Sequence, residues 1–171
     1  YIREQTDLPF LVREDNGEFL RAEDLNLVDM LAVRENVFYL WDQKTRRIVQ
    51  APGTGAAEAP VGRRRRKFET IALGNIEPAL EGRWNVETRT GKVTVTTVFA
   101  LLKKRAAEHS PEKMSAETGL NPNAMRTVAR EFAKAGKRAM IYAGFSACKW
   151  LHGDILQRAM VLQCALTGAT G

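Results

Sequence analysis

Apolar and polar positions alternate over short spans in the first half of the chain and fall into a helical period in the second. Residues 8–13 (LPFLVR) and 18–21 (EFLR) flank Glu14-Asp15-Asn16-Gly17. Asn-Gly between two such runs predicts a hairpin, because its tight turn needs positive φ. Residues 37–41 (VFYLW) and 47–50 (RIVQ) flank a polar turn at 42–46 and predict a second hairpin. A third is expected between 84–87 and 92–95, turning on Thr90-Gly91. The stretch 51–62 carries Pro52, Gly53, Gly55, Pro60 and Gly62, so it reads as a loop.

From Thr97 onward the punctuation is that of helices. Thr97 can cap a helix running from Val98 to about His109. Ser110-Pro111 supplies an N-cap and a first-turn proline for a short helix reaching Thr118 and ended by Gly119. Asn121-Pro122 repeats that start. Met125, Val128, Ala129, Phe132 and Ala133 then fall at i, i+3, i+4, i+7 and i+8, which predicts one buried stripe on a helix stopped by Gly136. Residues 138–143 (RAMIYA) read as a strand, 144–153 as a loop, and 154–167 as a final helix. That last helix is apolar on almost every side, which predicts burial within a body larger than this chain.

Helix, strand, glycine loop and helix in that order form the unit of a parallel sheet. The expected fold is therefore α/β: short β-hairpins and loops, then helices and a parallel-sheet strand-loop-helix unit. The expected parts are 1–97, hairpin- and loop-rich, and 98–171, α/β. Because Tyr1 opens the chain and a glycine-punctuated turn closes it at Gly171, the sequence reads as an incomplete piece of a larger multidomain fold.

Composition narrows the classes. The 171 residues are 44% hydrophobic and 27% charged, which is globular usage and rules out disordered and fibrous chains. No apolar run approaches the roughly 20 residues a membrane helix needs, so no direct span is expected. Lys and Arg number 26 against 20 Asp and Glu, for a net charge of +6. The run Arg63-Arg64-Arg65-Arg66-Lys67 accounts for much of that excess. It lacks both the apolar stretch of a twin-arginine export signal and the interleaved aromatics of a nucleic-acid interface, so it reads as a solvated basic loop. Two cysteines, Cys148 and Cys164, and two histidines are too few for a disulfide framework or a self-contained zinc or iron–sulfur site.

The densest candidate chemistry lies in Gly144-Phe145-Ser146-Ala147-Cys148-Lys149-Trp150-Leu151-His152-Gly153-Asp154. Ligands of open α/β sheets bind outside the carboxyl ends of strands, and the N–H groups of a following helix suit an anion such as phosphate. Gly144 permits close approach to the main chain, and Ser146 offers a hydroxyl. Trp150 is either a stacking face with one N–H or a core anchor; His152 is either a donor/acceptor or a structural histidine. Asp154 either caps the helix or pairs with Arg158, and Lys149 can be solvated. The fingerprint of a nicotinamide site, GxGxxG, is missing at this turn, and no GxSxG marks a nucleophile. Asp7, Asp42 and Glu81 stand near turns without a motif that selects a pair.

Several segments together resemble the catalytic subunits of molybdopterin oxidoreductases of the dimethyl sulfoxide reductase family. They are 6–12 (TDLPFLV), 19–25 (FLRAEDL), 95–99 (VTTVF), Thr118-Gly119 and 128–133 (VAREFA). Trp150-x-His152-x-Asp154 with Arg158, and Leu166-Thr167-Gly168, complete the set. The type II branch is the most similar: nitrate, selenate, chlorate and perchlorate reductases with dimethyl sulfide, ethylbenzene and steroid side-chain dehydrogenases.

The resemblance implies a molybdenum bis(molybdopterin guanine dinucleotide) cofactor and a 4Fe-4S cluster held by an upstream part. It implies an iron–sulfur electron-transfer subunit, with a haem b subunit as a further candidate, a small-molecule substrate and no nucleic acid. Residues 98–171 would be part of the molybdopterin-binding domain, and Gly144, Ser146, Trp150, His152, Asp154 and Arg158 candidate cofactor neighbours. No residue is expected as chemical catalyst or metal ligand, and the piece alone is expected to be inactive. A periplasmic location is expected, with a membrane-associated cytoplasmic one as the alternative. The competing function is a non-catalytic phosphate- or nucleotide-binding α/β module.

Overall fold

A computed structural model describes residues 1–25, 37–54 and 71–169. The basic run at 63–67 therefore lies outside the described residues, as does most of the loop expected at 51–62. The chain divides into two compact units, Arg3–Lys104 and Tyr1–Ile2 with Arg105–Gly171.

The first unit holds five strands: β1 (Leu11–Arg13), β2 (Tyr39–Asp42), β3 (Arg47–Gln50), β4 (Arg83–Thr88) and β5 (Gly91–Thr97). All three expected hairpins form. At the first, the amide of Gly17 donates to the Arg13 carbonyl at 3.0 Å and that of Arg13 to the Glu18 carbonyl at 2.8 Å. Gly17 takes φ +75°, the conformation for which glycine is suited. The hairpin is shorter than expected, since 18–21 contributes only the bridge between Val12 and Phe19. The other edge of β1 pairs with β5, Leu11 opposite Thr97 and Arg13 opposite Val95. β4 and β5 form the third hairpin, Trp84 opposite Val95, and β2 and β3 the second, Tyr39 opposite Gln50.

β5 lies between β1 and β4 in a three-stranded sheet. Its run Val93-Thr94-Val95-Thr96-Thr97 suits that central place, because branched side chains pack well on a pleated surface. Leu11, Leu20 and Val95 are wholly buried and form the core with Ala22, Val37, Tyr39 and Val86. Trp41 and Trp84 stack at 4.8 Å beside it. Phe38 stacks on Phe10 at 4.8 Å and meets Phe19 edge-on, with the Arg21 guanidinium 4.2 Å from the Phe38 ring centre.

Helix α1 (Val98–Ala107) follows β5 directly, and the division between the units falls within it. The buried Thr97 hydroxyl donates to the Leu80 carbonyl and accepts from the Ala100 amide at 3.1 Å, so one side chain ends the strand and caps the helix. Helices α2 (Pro111–Thr118) and α3 (Pro122–Ala135) begin as the sequence predicts. Ser110 accepts from the Lys113 amide, and Asn121 from those of Asn123 and Ala124. Gly119 closes α2 in the left-handed conformation.

The second unit departs from expectation in three ways. The stripe on α3 is not buried: Val128 is 69% exposed, and no residue of the helix is buried. Residues 138–143 do not form a strand. Gly136–Arg138 is one turn of 3-10 helix, and residues 139–144 have no regular structure. Every strand pair among the described residues is antiparallel, so the expected parallel unit is absent there. A strand of a parallel sheet exists only through its neighbours, and none lies among the described residues. Third, the expected loop at 144–153 contains a short helix, α4 (Phe145–Cys148), and α5 spans Gly153–Thr167. The chain is thus mixed helix and strand.

Candidate functional site

The six sequence-derived candidates lie along one stretch of α4, the turn after it, and α5. Gly144 is the N-cap of α4 with extended backbone, φ −95°. The helix closes after one turn, the Lys149 amide donating to the Ser146 carbonyl at 3.2 Å. A second turn follows, with the Gly153 amide donating to the Trp150 carbonyl at 2.9 Å. His152, at the N-cap of α5, takes φ +62° without a side-chain cap bond. An imidazole there is uncommon, since left-handed backbone costs a non-glycine residue energy.

The capping role considered for Asp154 is therefore not realised. Asp154 sits in the first turn of α5, where its charge suits the positive end of the helix dipole. No ion pair joins Asp154 to Arg158 among the described residues; both side chains face solvent. Trp150 is 75% exposed and not a core anchor, while Ser146 and His152 are exposed too.

The structure thus brings the six into sequence-local proximity without enclosing them. The Gly153 amide is taken by the Trp150 carbonyl, while the amides of Asp154 and Ile155 in the first turn of α5 lack carbonyl partners within the helix, as at any helix start. With the Ser146 hydroxyl, the Trp150 indole and the His152 imidazole they make a donor set suited to a phosphate and a flat heterocycle. No cluster of three or more histidine, cysteine or acidic side chains is placed to ligate a metal among the described residues.

The cavity beside this stretch is a different one. A groove of about 640 Å³ is lined by Ile141, Ala143, Gln157, Met160, Val161, Cys164 and Ala169. None of the six candidates borders it. The sequence named the apolar helix but not the groove, because the backbone of 139–143 was expected to lie in a sheet.

In the other unit, Thr6-Asp7-Leu8-Pro9 is a turn closed by the Phe10 amide on the Asp7 carbonyl at 2.9 Å and the Leu8 amide on the Thr6 hydroxyl at 3.2 Å. It borders a pocket of about 220 Å³ with Phe10, Leu40 and Thr54. Two ion networks escape sequence reasoning, because their partners are remote or unmarked by any motif. Arg13 pairs with Asp15 at 2.7 Å and with Asp24. Arg83 pairs with Glu14 across 69 residues. Arg83 holds the Glu14 carboxyl below its ordinary range, and Arg13 does the same for Asp15.

Asp42 is buried at the β2–β3 turn. Oδ1 accepts from the amides of Glu77 at 2.9 Å and Lys44 at 3.2 Å, and Oδ2 from the Thr45 hydroxyl at 2.7 Å and amide at 3.3 Å. These bonds, the Glu77 amide foremost, hold its carboxyl below the usual range. All its acceptor capacity is spent on the fold, which makes Asp42 structural.

No family model matches the chain. Among curated proteins it is 38% identical over its full length to dimethylsulfide dehydrogenase subunit alpha of Rhodovulum sulfidophilum, of which it covers 17%. It is 38% identical over 99% of its length to perchlorate reductase subunit alpha of Dechloromonas aromatica, covering 19% of that protein. Chlorate reductase subunit alpha of Ideonella dechloratans is 39% identical over the full chain, again with 17% covered. The chain therefore spans less than a fifth of the length of these relatives.

Proposed function

We propose, on the premise that the chain belongs to the alpha subunits of the type II branch of the dimethyl sulfoxide reductase family, that it is one portion of the catalytic subunit of a molybdenum oxidoreductase of anaerobic respiration or catabolism. The carrying observation is the match from end to end with alpha subunits named for different substrates: a sulfide, perchlorate, chlorate and nitrate. These substrates share one chemistry. An oxygen atom leaves the oxyanion with two electrons and two protons consumed and water formed, or water supplies the oxygen in the opposite direction. Hydroxylation of an organic substrate has the same balance, with two electrons released.

The cofactor is proposed as molybdenum bis(molybdopterin guanine dinucleotide), and the molybdenum supplies the two-electron oxygen transfer. The residue types of this segment suit the dinucleotide part of that cofactor. Gly144 would leave the main chain open to close approach, and the Ser146 hydroxyl and the first-turn amides of Asp154 and Ile155 would donate to phosphate oxygens. Trp150 offers its face and indole N–H to a fused ring. The Asp154 carboxylate would accept from the paired N–H groups of a pterin or guanine edge, while Arg158 would complement phosphate charge and an imidazole N–H of His152 would donate to it. In the intact subunit, residues 138–143 are read as a strand of a parallel sheet whose carboxyl end presents this segment. A 4Fe-4S cluster and an iron–sulfur partner subunit complete the proposed electron path.

The test is metal and nucleotide analysis of the full-length protein. Molybdenum and guanine nucleotide are expected together, and Trp150→Ala and Ser146→Ala should lower both while leaving the amount of folded protein unchanged. Bound nucleotide without molybdenum would instead favour a non-catalytic nucleotide-binding module. Absence of both would remove the proposal.

A further inference from the structure

Side-chain charge is spread unevenly over the second unit. Residues 121–138, which hold α3 and the 3-10 turn after it, carry five cations, Arg126, Arg130, Lys134, Lys137 and Arg138, against one acid, Glu131. The stretches 105–120 and 139–171 carry four acidic and four basic side chains between them and balance. The unit's whole positive excess therefore lies on one helix and its end. Arg126, Arg130 and Lys134 recur at every fourth position, so they stand in one row along α3, with Lys137 next in line. Met125, Val128 and Phe132 occupy another side of the helix, so whatever packs on that apolar stripe leaves the row uncovered.

Neither solubility nor helix stability explains such a row. Like charges at i and i+4 repel, and a merely solvated helix face interleaves acids with its bases. The helix dipole favours cations near the C-terminus, which accounts for Lys134, Lys137 and Arg138. It does not account for Arg126 in the second turn, on a helix whose first turn has no acid. The row also takes carboxylates already. Glu112 of α2 pairs with Arg126, and Glu131 with Lys134 at 2.6 Å. No ion pair among the described residues takes up Arg130, Lys137 or Arg138, and all three are exposed.

The chemistry of the row selects its occupant. A helix that lies on an anionic bilayer needs its apolar face free to enter, and Met125 and Phe132 are half-buried in this unit. A nucleic-acid strand is met by aromatics among the bases, and the one aromatic of α3, Phe132, is on the apolar side. Arginine forks match carboxylates two bonds at a time, and three of the five cations are arginines. The relatives are named as alpha subunits, which places them in assemblies with other subunits.

We propose that the row from Arg126 to Lys137, with Arg138, is a seat for an acidic face of a companion subunit of the assembled enzyme. Carboxylates of that subunit pair with Arg130, Lys137 and Arg138, as Glu112 already does with Arg126. The seat steers association, so its contribution weakens as salt rises. This rests on the chain being part of an alpha subunit and is independent of the cofactor that the subunit holds.

The experiment uses the assembled full-length enzyme. A water-soluble carbodiimide, which joins a lysine amine to a carboxylate in contact with it, is applied at low and at high salt, and the linked peptides are read by mass spectrometry. Lys134 or Lys137 is expected to be joined to an Asp or Glu of a companion subunit at low salt, with less product at high salt. In parallel, the double variant Arg130→Glu, Lys137→Glu is compared with Lys113→Glu, an exposed cation of α2 outside the row. The double variant should release the companion subunit at lower salt on gel filtration, and Lys113→Glu should behave as the parent. Links from Lys134 and Lys137 only to carboxylates of the alpha chain, or a double variant that holds its companion as the parent does, would overturn the seat. Unchanged subunit association with weakened binding to phosphatidylglycerol vesicles would overturn it in favour of a lipid surface. The cross-linking arm needs no variant, so a double variant that fails to fold leaves the proposal open to refutation. Molybdenum measured on the same samples keeps the two proposals apart. A molybdenum-containing enzyme without the cross-link refutes the seat alone, and a cross-linked enzyme without molybdenum or guanine nucleotide refutes the functional reading alone.

Discussion

Gly82 shows how narrowly a single position can be set. A Cβ there would stand 2.3 Å from Cζ2 of Trp84, and the backbone is at φ +148°. Either the indole leaves its stack with Trp41 or the β4 entry bends. Gly82→Ala is expected to cost about 1–3 kcal/mol, seen as a lower urea midpoint by tryptophan fluorescence. Asp42 supplies a second prediction at this scale. Its folded-state pKa lies below the unfolded value, so its stabilisation is present above the ordinary carboxylate range and is lost as pH falls through the folded value. Asp42→Asn replaces one acceptor oxygen with a donor facing other donors. The variant should melt lower at pH 7, and its Tm should depend less on pH through the acid range than that of the parent. A variant with an unchanged acid slope would refute this account of Asp42.

At the scale of elements, caps and turns were legible because their chemistry is local. Asn-Gly, Ser-Pro, Asn-Pro and the closing glycines each satisfy backbone groups within a few residues, and the structure places them where the pattern put them. Asn121→Ala is expected to cost about 1 kcal/mol through the amides of Asn123 and Ala124, measured by loss of α3 helicity on denaturant titration. Thr97→Val removes both a cap and a buried hydroxyl bond, leaving the Leu80 carbonyl without that donor. A cost of about 1–3 kcal/mol is expected, larger than at Asn121, because Thr97 is buried and Asn121 is exposed. What local pattern did not supply was the partner of each element. Nothing in the sequence near Leu11 indicates that β1 pairs with β5, more than 80 residues away. The strand expected at 138–143 is not formed for the same reason: strand geometry depends on neighbours.

For the whole molecule, the candidate site was legible as a set of residue types and not as a site. Gly144, Ser146, Trp150, His152, Asp154 and Arg158 have the chemistry of a phosphate and heterocycle contact, yet the structure leaves them open. Enclosure is a property of surrounding polypeptide, and this chain spans less than a fifth of the length of its relatives. The unit Arg3–Lys104 behaves differently, since its core closes on itself. Leu20 lies outside every strand and is still wholly buried among Leu11, Val37 and Val95. Leu20→Ala should therefore cost about 2–5 kcal/mol, read as a drop in the urea midpoint with an unchanged slope. A cost under 0.5 kcal/mol, the range of an ordinary surface change, would show that the core does not close there.

The clasp at Asp42 has a consequence for divergence. By gripping the Glu77 amide it fastens the ends of an interval 35 positions long, and Asp42 also bridges to Pro78. Once both ends are pinned, insertions between them are cheap: doubling the length of a closed loop adds only about 0.6 kcal/mol of closure entropy. Lineages that keep an acid at this turn have latitude to lengthen what lies between without disturbing either anchor.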